Sequence, residues 1–415
     1  MYTYRKVTDD IYWIGGNDKR LHLFENIFPI ERGVSYNAYL LDDGEVTVAI
    51  DTVDWAACRT YLQQMEALLD GRKLDYLLIH HLEPDHGASI EEVVLRYPDV
   101  KIVCSEQGFD MMRQFQYKIK DENLEVVKEG DTKKFGKHTF AFLEAPMIHW
   151  PEVIVSLDLT SGCLFSADAF GSFGALDGKL FNDEVNFDRD WLDDARRYYT
   201  NIVGKYGPFT QDLLKKAAPL LDKVKFICPL HGPVWRNDFG YFIDKYDKWS
   251  KYEPEEEGVV IAYASMYGHT EYAAQCLASE LCEKGMTNVV MHDVSNTDVS
   301  FIISDIFKYS HIVLASVTYN LQIYPKMKDL LHDMQALNVQ NRTVGIMENG
   351  TWACTVGDLM EEYINEELKL VDVLGDRVTM NSSLSIASKG DMDSLADGII
   401  QSMKDIRELK AKKNA

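Results

Sequence analysis

The apolar residues of this chain keep two different rhythms, and the change between them falls at one short stretch. Residues 251–258 read KYEPEEEG, four acids and a proline closed by a glycine. That composition favours neither helix nor strand and marks a linker. Beyond it, the apolar runs 259–264, 289–291, 312–315 and 344–347 alternate with segments of helical spacing. Short apolar runs alternating with helices are the pattern of βαβ units, so an α/β unit with a doubly wound parallel sheet is predicted for 258–409. Before the linker the pattern is mixed. Strands are predicted at 36–41 and 45–50 around the turn Asp42-Asp43-Gly44. Trp55, Cys58, Leu62, Met65 and Leu69 repeat at helical spacing up to Asp70-Gly71, and 74–79 reads as a buried strand. Further hairpins are predicted to turn at Gly136-Lys137 and at Thr160-Ser161-Gly162. The chain therefore divides into an α+β unit at 1–250, an acidic linker at 251–257, the α/β unit at 258–409 and a tail at 410–415, KAKKNA, expected to be disordered.

The 415 residues are 46% hydrophobic, enough to bury sizeable cores without staples. A formal net charge of −23 argues against binding nucleic acid, which needs clustered Lys and Arg. The seven cysteines are scattered and none forms C-x-x-C, which fits reduced, buried thiols in a cytoplasmic protein. No apolar run reaches the roughly 18 residues of a membrane span, and the acids after Lys6 do not suit a signal peptide.

The predicted strand 74–79 runs into His80-His81-Leu82-Glu83-Pro84-Asp85-His86. Alternate residues of an extended segment point the same way, so His81, Glu83 and Asp85 are expected to converge, with His86 added from the turn. A polar surface loop with chance histidines is the plainer reading. Burying two imidazoles beside two carboxylates is costly unless a cation compensates, which favours a metal. Three more residues of ligand type stand at predicted strand-to-loop junctions: His149 in APMIHWP, Asp168 in SADAFG and His231 in PLHGP. Singly, each is more simply a packed or capping residue. Together the seven suit two metals sharing one carboxylate. His22, Tyr36 and Trp150 are candidates to flank them.

In the second unit, the run 259–264 leads into Ser265-Met266-Tyr267-Gly268-His269-Thr270 and then a helical pattern. Loop N–H groups, hydroxyls and a helix N-terminus suit a phosphate. No lysine follows in P-loop position, which argues against a nucleoside triphosphate. Two later loops, Ser316-Val317-Thr318-Tyr319-Asn320 and Asn349-Gly350-Thr351-Trp352-Ala353, follow predicted parallel strands at the edge where open α/β sheets bind ligands. Tyr319 and Trp352 could flank a flat ring, or simply pack.

The pattern H-x-E-x-D-H with later His, Asp and His resembles the metallo-β-lactamase superfamily, whose signature is H-x-H-x-D-H, and Glu83 stands at its second histidine. This variant is the one seen in flavodiiron proteins, and carboxylate-rich, histidine-containing sites suit iron or manganese better than all-nitrogen ones, the resemblance implying iron. The second unit resembles flavodoxin through S-M-Y-G-H-T, with His269 at a usually small polar position and Val317 where flavodiiron proteins usually carry proline. The resemblance spans nearly the whole chain. It implies a metallo-β-lactamase-like αββα sandwich followed by a flavodoxin-like domain. One iron would take His81, Glu83 and His149, the other Asp85, His86 and His231, with Asp168 bridging, and His80 would lie behind the ligands. FMN would bind the three loops of the second unit.

The resemblance further implies an oxidoreductase that reduces dioxygen to water or nitric oxide to nitrous oxide. It also implies a head-to-tail homodimer or dimer of dimers that sets one chain's flavin beside its partner's irons. The lack of C-x-x-C points to a separate electron donor, such as rubredoxin or a reduced deazaflavin. A zinc hydrolase with an attached flavin module is the alternative, opposed by Glu83. A pure electron carrier is a third reading, opposed by seven filled ligand positions.

Overall fold

A computed structural model describes residues 2–414. It divides into two compact units, Met1–Asp247 and Lys248–Ala415. In the first unit a seven-stranded sheet has the order Arg5–Lys6, Ile11–Trp13, Tyr39–Asp42, Thr47–Ile50, Tyr76–Leu78, Lys101–Cys104, Leu124–Val126. A five-stranded sheet runs Thr132–Phe135, His138–Glu144, Ile154–Asp158, Cys163–Phe165, Phe226–Cys228. Aromatic side chains join the two sheets. Tyr39 meets Phe165 with ring centroids 5.3 Å apart, and Tyr76 meets Phe135 at 4.9 Å. Such edge-to-face contacts add to the apolar burial that holds a sandwich together.

Both expected hairpins are present, Thr132–Phe135 with His138–Glu144 and Ile154–Asp158 with Cys163–Phe165. The helix Trp55–Leu69 starts at Asp54, whose side chain caps Ala56 N–H, and stops at left-handed Asp70. The strand predicted over 36–41 is split into Val34–Tyr36 and Tyr39–Asp42, because Asn37 turns its side chain inward. Its amide donates to the Pro229 and Gly232 carbonyls, and its oxygen accepts from the Trp13 indole.

The second unit has the parallel strand order Val289–Asp293, Glu256–Tyr263, Tyr309–Tyr319, Arg342–Asn349, Val371–Met380. Alternation along each central strand feeds two cores. Val260, Ala262, Ile312, Leu314, Val344 and Ile346 face one set of helices. Val259, Ile261, Val313, Ala315 and Met347 face the other. A strand buried on both faces must read as an unbroken apolar run, which is why the sequence shows no polar alternation there.

Three expectations need correction. Glu256 and Glu257, assigned to the linker, begin the strand Glu256–Tyr263, where Glu257 pairs with Arg407 and Glu256 accepts from Asn288. Of the tail 410–415 expected to be disordered, residues 410–414 continue the helix Lys389–Asn414 and Ala415 lies outside the described residues; Lys and Ala are good helix formers attached to an existing helix. The strand Val371–Met380 was not anticipated. Its half-polar sequence, VDVLGDRVTM, fits the edge of the sheet. No helix of the described residues is long and apolar enough to cross a membrane.

His311 is buried in this unit, between the Ser310 and Ser402 hydroxyls at 2.9 and 3.1 Å. Burial pushes its pKa down from 6.5 to about 4, against the pull of Glu257 and with the help of Arg342. A neutral native imidazole costs nothing above pH 6.5. As pH falls toward 4 the unfolded chain takes up the proton first, so this stability is lost over that window. Comparison of urea unfolding for the parent and His311→Asn between pH 7 and 4 should show a flatter curve in the variant, by up to about 3 kcal/mol.

Candidate metal centre and flavin site

The metal-type residues come from five places in the first unit, and the fold brings all seven together. The strand Tyr76–Leu78 delivers His81 and Glu83 in extended conformation, and Pro84 then opens the short helix Pro84–Gly87. Proline at the first helical position is preorganised for that turn. Asp85 and His86 therefore reach the site from a helical turn, not along the extended segment as the alternation suggested. Asp168 follows left-handed Ala167, at φ 50°. A non-glycine residue there is held at a cost of about 1–2 kcal/mol by its surroundings. Gly232, φ 79°, lets the chain turn after His231, since a Cβ would lie 2.9 Å from Ser172 Cβ.

The seven groups form two clusters of candidate ligands, His81, Glu83, His149 and Asp168 in one, and Asp85, His86 and His231 in the other. The Asp168 carboxylate stands between them, fully buried. Its Oδ2 is 3.2 Å from His81 Nε2 and 3.4 Å from His149 Nε2. Its Oδ1 is 3.5 Å from His86 Nε2 and 3.7 Å from His231 Nε2. Each oxygen thus serves one cluster.

Hydrogen bonds behind the ligands fix which ring nitrogen faces inward. His81 Nδ1 donates to Glu152 Oε1 at 2.8 Å, so its Nε2 points at the carboxylates of Asp168 and Glu83. His231 Nδ1 donates to the Ser35 carbonyl at 2.7 Å, and its Nε2 lies 3.0 Å from His86 Nε2. Carboxylates packed against these ring nitrogens call for positive charge, carried by protons on the rings or by metal ions. His81 Nε2 and both oxygens of Asp85 and of Asp168 are buried without a hydrogen-bond partner. Burial opposes protonation of His81, but the carboxylates of Asp168, Glu152 and Glu83 outweigh it and hold the imidazolium well above its ordinary range. His149 is likewise pushed up to about 10, with Asp168 and Glu83 overcoming burial. Asp168 is held well below the usual carboxylate range, its burial outweighed by His81, His149 and His86. The donor set calls for cations, and its two halves with one shared carboxylate fit a pair of metal ions.

Several neighbours were not read from the sequence. Glu152 also accepts from Leu82 N–H at 2.9 Å, and its place three residues after His149 was a signal that could have been used. Asp51 accepts from His80 N–H and faces its Nδ1, both at 2.7 Å, while Ser156 Oγ meets the other nitrogen at 2.7 Å. His80 is thus braced from both ring nitrogens, directly beside the candidate ligand His81. Tyr198 lies with its ring 5.5 Å from His231 and its hydroxyl buried without a partner. Glu25, on the turn after Phe24, is an exposed residue whose carboxyl is nonetheless pushed up to about 8, by burial first and then by the charge of Glu83. Nothing local in the sequence marks Tyr198 or Glu25. Tyr36 and Trp150 do flank the site, with rings 5.8 Å from His231 and 5.5 Å from His81. His22 is exposed.

In the second unit the three predicted loops meet at the carboxyl edge of the sheet. Ser265 Oγ accepts from Gly268 N–H at 3.0 Å, shaping the turn into the helix His269–Glu283. Asn349 donates to Thr270 Oγ1 at 3.2 Å, tying the third loop to the first. Thr318 Oγ1 accepts from Thr355 and Val356 N–H at 3.1 and 3.3 Å, tying the second to the third. Ser316, Val317, Thr318 and Tyr319 prove to be the end of the strand Tyr309–Tyr319, continued by a hairpin to Gln322–Ile323, with Asn320 in its turn. Around this edge Met266, Tyr267, Tyr319 and Trp352 are exposed, Trp352 by 79% and Tyr267 by 88%. Gly350, Thr351 and Ala353 complete the Trp352 loop. Large exposed aromatics beside a hydroxyl-rich turn suit a flat ring carrying a phosphate.

Residues 34–232 match the family described as ODP family beta lactamase, and residues 261–367 match Flavodoxin. A nitric oxide reductase of Moorella thermoacetica is 32% identical over 359 residues, covering 86% of this chain and 88% of the relative. An anaerobic nitric oxide reductase flavorubredoxin of Aeromonas hydrophila is 30% identical over 350 residues, covering 83% and 70%. The solved rubredoxin oxygen:oxidoreductase of Desulfovibrio gigas superposes with a TM-score of 0.89 at 29% identity, covering 97% of this chain and 98% of that one. A lactamase-like unit with a two-cluster donor set, followed by a flavodoxin-like unit, defines an oxidoreductase of two modules. The chain belongs to the flavodiiron protein family, and the oxidoreductase reading stands over the hydrolase alternative.

Asp51→Ala would strip His80 of both its carboxylate contacts inside the sandwich. The expected loss of stability is about 3 kcal/mol, read by urea unfolding.

Proposed function

We propose that the chain reduces dioxygen, nitric oxide or both at a non-haem di-iron site, with electrons delivered through FMN. One iron would take His81, Glu83 and His149, the other Asp85, His86 and His231, and Asp168 would bridge them. The observation that carries this reading is the division of Asp168, whose Oδ2 faces His81 and His149 while Oδ1 faces His86 and His231. Iron is favoured over zinc by three carboxylates among seven donors and by relatives that carry redox names.

When bound, the irons would supply Lewis acidity and electrons for the gas, and the FMN would supply the path by which those electrons arrive. The rest falls to the chain. Glu152 and the Ser35 carbonyl fix the tautomers of His81 and His231, so that Nε2 faces the site. Asp51 and Ser156 hold His80 rigid behind His81. Aromatic rings of Phe24, Tyr36 and Trp150 stand against the ligand imidazoles and exclude water. Tyr198 packs its ring 5.5 Å from His231, with its hydroxyl buried. FMN would lie across the loops at Ser265–Thr270, Ser316–Asn320 and Asn349–Ala353. A separate donor such as rubredoxin or a reduced deazaflavin would feed it. A head-to-tail homodimer, alone or paired, and a cytoplasmic setting complete the proposal.

Protein purified without oxygen should contain about two irons and one FMN per chain, and after reduction should reoxidise rapidly on a pulse of dioxygen or of nitric oxide. The faster gas is the preferred substrate. Zinc with no reoxidation by either gas would sink the reading. Asp168→Ala should lose the bridge and at least a hundredfold in turnover, of order 3 kcal/mol, while keeping its FMN. Retention of both irons and full turnover in that variant would overturn the ligand assignment.

A further inference from the structure

Glu348 is a carboxylate that the proposed function does not use. It is 6% exposed and sits at the carboxyl end of the strand Arg342–Asn349, immediately before the Trp352 loop. Ser316 and Thr379 flank it across the sheet. Its Oε2 accepts from Gly357 N–H at 3.0 Å, and its Oε1 accepts from Thr379 Oγ1 at 2.8 Å. Gly357 lies in the first turn of the helix Val356–Glu367, where N–H groups lack partners within the helix. Thr318 takes the two N–H groups just before it, those of Thr355 and Val356. The helix therefore has no cap of its own and is capped from two strands.

A Cβ at Gly357 would stand 2.4 Å from Glu348 Oε2, so the close approach depends on that glycine. Arg377 approaches Glu348 at 3.6 Å but is engaged with Asp358 at 2.6 Å and with Glu361. Three carboxylates around one guanidinium leave the cluster net negative. The Cys354 thiol at the loop's end is pushed up to about 12, by burial and then by the charge of Glu348.

We propose that Glu348 is a positioning residue for the flavin: it clamps the Asn349–Ala353 loop between strand and helix, and its fixed negative charge makes the bound flavin harder to reduce. This rests on the reading that FMN binds this edge. The clamp orders the loop before the flavin arrives, so binding does not have to supply that order. A fixed negative charge beside a group that gains electrons opposes the gain, most strongly where water is excluded.

The test compares FMN-loaded parent, Glu348→Gln, Glu348→Ala and Gly357→Ala, each checked for native circular dichroism. Glu348→Gln should keep one FMN per chain while its midpoint potential moves to a more positive value. A residue that only filled space would leave the potential unmoved. Glu348→Ala and Gly357→Ala, which remove the clamp and displace it respectively, should each raise the FMN dissociation constant about tenfold. An unchanged potential in Glu348→Gln, or an unchanged dissociation constant in both alanine variants, overturns the proposal. A folded parent that takes up no FMN overturns the flavin reading beneath it, which is a separate and visible failure.

Discussion

Asp168 is a buried carboxylate that no hydrogen bond satisfies, placed between two pairs of imidazoles. Leaving such a charge in a dry interior would cost several kcal/mol, so the surrounding structure has to be organised around its compensation. The arrangement shows how. Glu152 and Ser35 fix the histidines that face it, Asp51 and Ser156 fix the residue behind them, and left-handed Ala167 sets its own approach. Each of these is a contact between segments distant in sequence. The sandwich exists, in functional terms, to hold one carboxylate where four imidazoles converge on it.

The second unit solves a different problem by similar means. Its sheet is covered on both faces, which leaves only the ends of the strands for binding. Those ends are irregular loops, and loops alone are poor platforms. Here they are tied to one another, Asn349 to Thr270 and Thr318 to the start of the helix Val356–Glu367. The exposed rings of Tyr267, Tyr319 and Trp352 therefore project from a stiff rim. Hydroxyl and amide side chains in these loops spend much of their hydrogen-bonding capacity on one another, so their abundance in the sequence reflects scaffold as well as ligand.

How much of this could be read beforehand followed from where each signal lay. The crowding of His81, Glu83, Asp85 and His86 into six positions is local, and it was legible. So were the strand-end positions of His149, Asp168 and His231 and the apolar runs of the second sheet. What failed was detail that depends on the third dimension. Alternation placed Asp85 on the wrong kind of backbone, because Pro84 starts a helical turn one residue earlier. The edge strand Val371–Met380 was missed because an edge does not need an apolar sequence. Tyr198 and Glu25 reach the site only through the folding of distant segments, so no window of sequence could have shown them. The acids 256 and 257 looked like linker because charge at a strand's start reads the same as charge in a loop.

The spread of the donors along the chain has a consequence in time. The first of them is His81 and the last His231, with Asp168 between. A ribosome makes the chain from its amino end, so for much of synthesis the His81 cluster exists without the partner that closes the second half of the site. A half-built cluster of imidazoles and carboxylates is an indiscriminate chelator, open to whichever divalent ion is most abundant or most tightly held. The second half of the donor set therefore closes only when Phe226–Cys228 pairs with Cys163–Phe165 and carries His231 into place.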